Sequence, residues 1–142
     1  MMLMTLAVHF AVVIAWMLLA WLVYCRSRNP AVVDGFWTLG FFVLVVTVWW
    51  RSLALSFSSG MLLALITVWS MRLFLHLFMT RIRHGYRDPR YLALASGWTM
   101  KAGLAFLAHY LLQGFLLSVV AVPLVFLSTV PTSFSVSVVL SE

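Results

Sequence analysis

The chain has 142 residues, 65% of them hydrophobic, 15% aromatic and only 8% charged, with a formal net charge of +6. Twelve charged residues cannot cover the surface of a soluble domain of this length, and a mean hydropathy of +1.11 excludes a solvated, disordered chain. Such a composition defines an integral membrane protein, in which the excess positive charge serves topology and anionic headgroups rather than nucleic acid.

About 20 helical residues cross the roughly 30 Å of bilayer hydrocarbon, and four apolar runs are long enough. The first covers residues 6–24 and ends at "CRSRNP". It has no positive leader and exceeds a signal-peptide core, so it is expected to remain as an anchor. The second covers 31–50, opened by Asn29-Pro30 and closed by Trp49, Trp50 and Arg51. The third, 60–80, follows the polar break "SFSSG", and the fourth, 102–128, is long enough to tilt or to end near Pro123. None of these runs alternates strictly, and a continuous helix satisfies its own backbone within lipid. The predicted fold class is therefore all-α, a polytopic membrane bundle of four transmembrane helices over residues 1–128. Residues 129–142, rich in Ser, Thr and Val and broken by Pro131, are expected to form a short extracytoplasmic tail.

Charge between the runs sets the expected orientation. Arg26 and Arg28 follow the first, Arg81, Arg83, Arg87, Arg90 and Lys101 follow the third, and only Arg51 follows the second. Seven positives against one place the first and third loops in the cytoplasm and both termini outside. A bacterial inner membrane fits that arrangement. Trp21, Tyr24, Trp49, Trp50 and Trp98 fall near the predicted interfaces. Small residues at Ala11, Ala15 and Gly103 are candidates for close helix approach.

Few side chains offer chemistry. Arg72 and His76, at i and i+4, share one face of the third run, with Arg72 about 12 Å inside its cytoplasmic end. Asp34 is the one acid inside an apolar run and lies about 5 Å deep in the second. An arginine side chain can bridge the difference, so an Asp34–Arg72 pair is expected, either as a structural lock or as part of a site. His109 and Gln113 form a second i, i+4 pair suited to interhelical hydrogen bonding. His9 lies close to the outer surface and is expected to be hydrated. Four histidines on different runs and a single cysteine, Cys25, make no metal signature and no disulfide. No glycine-rich phosphate loop or nucleophile elbow is present. The third loop, "TRIRHGYRDPRYLALASGW", is the richest polar stretch: Asp88-Pro89 suits a turn, Tyr91 an interfacial anchor, and the arginines a lipid phosphate or a phosphorylated cofactor.

Three of these stretches together are similar to one family. "NPAVVDGFWTLGF", "WSMRLFLHLF" and "GYRDPRYLAL" resemble, in order and spacing, motifs of bacterial proteins related to the steroid 5-alpha reductases, over about residues 29–127. The resemblance implies a membrane oxidoreductase that uses NADPH to reduce a carbon–carbon double bond in a lipid-like substrate. It assigns catalytic roles to Arg72, Asp34 and Tyr91, cofactor contacts to Asp88 and Arg90, and substrate contacts to Trp37 and His76. Members of that family carry further helices, so the chain is expected to correspond to the front half of the fold. The alternative reading is a non-catalytic membrane subunit or lipid-binding module working with another subunit or copy. A methyl-transferring fold using S-adenosylmethionine is a third reading.

Overall fold

The computed structural model describes residues 2–51, 57–83, 89–96 and 102–127. Helix α1 (Met2–Ser27) is followed by α2 (Val32–Arg51) and α3 (Phe57–Leu77), which runs on into a π-helical turn, Phe78–Ile82. A short α4 (Pro89–Ser96), a long α5 (Ala102–Val120) and a short α6 (Val122–Leu127) complete the order. Among the described residues there is no strand, and four helices are long and apolar enough to cross a membrane. The expected all-α bundle of four spans is what the chain forms. The segment after Leu127 and Trp98 lie outside the described residues.

The ends of the helices follow from local chemistry. Helix α1 stops because Arg28 adopts φ 55°, the left-handed cap conformation, while its N–H still donates to Tyr24 O at 2.7 Å. Asn29 Oδ1 then accepts the Ala31 N–H at 3.0 Å, a side-chain cap that opens the turn into α2. The Tyr110 hydroxyl donates to Pro30 O at 3.1 Å and ties this corner to α5. The fourth apolar run does not continue as one helix to residue 128. It breaks at Ala121, just ahead of Pro123, whose ring and missing N–H are tolerated only in the first turn of a new helix. Pro89 likewise occupies the first position of α4, a helix inside what reads as a loop from sequence.

Helices α1, α2 and α5 pack against one another, and α3 packs chiefly on α2. One apolar cluster joins Val13 and Met17 of α1 to Phe41, Leu44 and Val48 of α2 and to Leu117 of α5. A second joins Ala20 and Tyr24 to Val33, Tyr91, Phe106 and Tyr110 near the arginine-bearing end. The close approaches are made at Gly40, where an added Cβ would run into the fully buried Leu117, and at Gly114, where it would meet Met17 Cγ at 2.9 Å. Ala11 and Ala15 face outward instead, and a Cβ on Gly103 would meet open space. In a uniformly apolar helix, small residues alone do not say which face turns inward.

Candidate functional site

The polar chemistry of the bundle converges on Asp34. This carboxylate sits in the first turn of α2, at the positive end of the helix dipole. Its Oδ1 accepts a 2.7 Å hydrogen bond from the Tyr91 hydroxyl of α4. Its Oδ2 accepts one from Arg81 Nη1 at 3.2 Å and forms an ion pair with Arg90 Nη2 at 3.7 Å. The π-helical turn brings Arg81 there: its i→i+5 bond, Arg83 N–H to Phe78 O at 2.8 Å, widens the last turn after α3.

Tyr91 is buried against Phe106 and the edge of His109, with ring centroids 6.4 and 5.8 Å away. The Arg90 guanidinium stands 5.8 Å from its ring centroid. Burial pushes the Tyr91 hydroxyl well above the usual phenol range, and the Asp34 charge and hydrogen bond push it further. The phenol therefore stays protonated and serves as a donor at neutral pH.

A cavity of about 320 Å³ opens beside this cluster, lined by Asp34, Trp37, Leu73, Arg81, Arg90 and Gln113 among others. Trp37 lies one turn beyond Asp34 on α2 and packs edge-on against Phe41, centroids 5.0 Å apart. Its indole N–H is buried and has no hydrogen-bond partner among the described residues. An unmet buried donor costs about 1–3 kcal/mol, and the residue that carries it forms part of the cavity wall. Among the described residues, two guanidiniums against one carboxylate also leave the cavity rim with a net positive charge.

Of the residues singled out from sequence, Asp34, Trp37, Arg90 and Tyr91 come together here, and Asp88 lies outside the described residues. Arg72 and His76 are not among the residues that line the cavity. Both are exposed on the outer face of α3. The expected Asp34–Arg72 pair does not form: among the described residues, the cations on Asp34 are Arg81 and Arg90. Depth allowed the pair, but α3 presents its other face to α2.

Arg81 and Gln113 are the lining residues whose place the sequence did not disclose. Arg81 reads as a topological charge just beyond the apolar run, and Gln113 as an interhelical hydrogen bonder. Among the described residues no group of three or more His, Cys, Asp or Glu could hold a metal ion.

Fold and site together define a polytopic helical membrane protein with a charged cavity at one end of its bundle. The chain belongs to a family described as proteins of unknown function, DUF1295, which matches residues 20–141 and so includes every residue of the Asp34 cavity. No curated protein and no solved structure matches it.

Proposed function

We propose that the chain is the site-bearing part of a membrane reductase of the steroid 5-alpha reductase type, acting on a carbon–carbon double bond conjugated to a carbonyl in a lipid-like substrate. The observation that carries this reading is the Tyr91–Asp34–Arg81/Arg90 cluster set beside one cavity, with Trp37, whose buried N–H is unpartnered among the described residues, in its wall. NADPH is the proposed reductant. The net positive rim suits its phosphates, and the Gln113 amide can pair with a carboxamide. A volume of about 320 Å³ lies at the low end of the roughly 300–1,000 Å³ typical of ligand pockets, so these residues fit one end of the cofactor and not its whole length.

When bound, the reduced nicotinamide supplies a hydride to the double bond. As charge builds on the conjugated carbonyl oxygen, the Trp37 N–H donates to it, meeting both its own need and that of the oxygen. The enolate left by hydride addition takes its proton from water, while Tyr91, its own proton donated to Asp34 Oδ1, holds that carboxylate in place at the cavity wall. Arg81 and Arg90 offset the Asp34 charge and bind the anionic part of the cofactor. Arg72 and His76, to which the resemblance gives catalytic and substrate roles, take no part in this arrangement.

The test uses the full chain in nanodiscs with NADPH and an enone sterol. Saturable NADPH binding that weakens at least tenfold in Arg90→Ala is expected, with turnover lost in Trp37→Phe and Tyr91→Phe. Absence of binding at millimolar NADPH overturns the reading, as does binding indifferent to Arg90→Ala. A second reading, a component that docks on another membrane helix, is favoured by the outward-facing Arg72 and His76 at the depth of lipid.

A further inference from the structure

The opposite end of the bundle holds a second cavity of different chemistry. It measures about 200 Å³ and is lined by His9 and Val13 of α1, Leu44 of α2, and Phe115, Ser118 and Val119 of α5, among others. His9 lies 18 residues before the end of α1, about 27 Å along the axis from the arginine-bearing end. The sequence places this histidine at a hydrated surface, yet it is only 4% exposed.

The ring is oriented by its own helix. His9 Nδ1 lies 2.7 Å from Thr5 O, and a backbone carbonyl can only accept, so Nδ1 carries the proton. In the neutral ring Nε2 is then a bare lone pair. That atom is buried and has no partner among the described residues. The Ser118 hydroxyl does not answer it, because it donates to Gly114 O at 2.9 Å. The rim formed by Phe10, Phe115 and Val119 is exposed where a bilayer-embedded helix meets lipid tails.

We propose that this cavity binds the hydroxyl end of a membrane-soluble alcohol, which donates its hydrogen bond to His9 Nε2 while its apolar chain lies along the Phe10–Phe115–Val119 rim. Each feature selects one part of that ligand. The lone pair requires a donor, which a hydroxyl supplies and an ether, ester or hydrocarbon does not. The apolar walls require that the rest of the molecule be hydrocarbon. The volume equals about seven water-sized shares, room for the hydroxyl and a short length of chain, with the remainder left in the bilayer. A lone water is a poor occupant, since buried waters are held by about three polar groups and the polar side chains among the lining residues are His9 and Ser118.

The test is side-chain ¹⁵N NMR of histidine-labelled full chain in nanodiscs, titrated with 1-octanol and, separately, with methyl octyl ether. The His9 signal is identified by its absence in His9→Gln. Octanol is expected to move the Nε2 resonance saturably toward the hydrogen-bonded range, with the ether roughly tenfold weaker. Val119→Trp fills the cavity from its exposed rim, so the core is undisturbed, and is expected to abolish the octanol response while the Nδ1 signal persists. Equal responses to alcohol and ether overturn the proposal, as does no response to either. A Nε2 already hydrogen-bonded before alcohol is added also overturns it, showing water alone in the cavity.

Discussion

Asp34 and Arg72 lie on helices that touch, both within apolar segments, and the fold treats them in opposite ways. Asp34 sits on α2, which packs against α1, α3 and α5, and it gathers Tyr91, Arg81 and Arg90. Arg72 sits on α3, which leans chiefly on α2, and it is exposed ten residues before Ile82, about 15 Å along the span. That distance is about half the hydrocarbon thickness, so the guanidinium must snorkel along α3 toward the headgroups. The difference teaches that depth does not decide whether a membrane charge is compensated. The number of helices surrounding it does.

The widest test of that contrast is Arg72→Leu. A central arginine is penalised by about 2.5–3.5 kcal/mol on insertion scales, so unfolding stability in bicelles should rise by about 2–3 kcal/mol. A loss of stability would show that Arg72 is already paired, and the two regions would then be alike. Asp34→Ala should act in the other direction. It strands the Tyr91 hydroxyl and leaves Arg81 and Arg90 facing each other, but Arg90 is 66% exposed and water screens it. A loss of about 2 kcal/mol is expected in the same assay, and a neutral result would reduce the cluster to a surface association.

Tyr91→Phe removes one hydrogen bond to a charged acceptor and should destabilise by about 1–2 kcal/mol near neutral pH. Its pH dependence sharpens the point. A phenol held above its unfolded value keeps its full stabilising contribution below roughly pH 10 and loses it as pH rises through the folded value. Alkaline titration should therefore narrow the gap between wild type and Tyr91→Phe, and a gap that widens would contradict the burial of this hydroxyl. The smallest effect is a null one. In a double-mutant cycle of Asp34→Asn with Arg72→Met, coupling should stay within about 0.5 kcal/mol, as for residues that share no partner. Coupling of several kcal/mol would restore the pair that sequence depth alone suggests.

Much of the architecture was legible from apolar run length. The four spans appear where hydropathy puts them, and Asn29-Pro30 marks the α1–α2 corner as a turn. Facing was far less legible. A helix that is apolar all round has no polar stripe to say which side turns inward, which is why Ala11, Ala15 and Arg72 were placed at contacts they do not make. His9 failed for the converse reason: distance from a chain end says nothing about packing under α5. Within the site, the short motifs singled out Asp34, Trp37, Arg90 and Tyr91, whereas Arg81 was hidden because its position depends on a backbone irregularity. No residue type encodes a π turn strongly enough to be read from one sequence.

That irregularity works as a splice. A π turn takes up one residue more than the α-helix around it, so the stretches on either side keep separate rotational settings. If Phe78–Ile82 were wound as ordinary α-helix, the residues beyond it would swing by about 100°, and Arg81, inside the turn, would shift away from Asp34. The extra residue is slack that lets α3 fit α2 by shape while its continuation fits Asp34 by charge. A single deletion inside the splice, by contrast, leaves both flanks facing as they do now and only straightens the join.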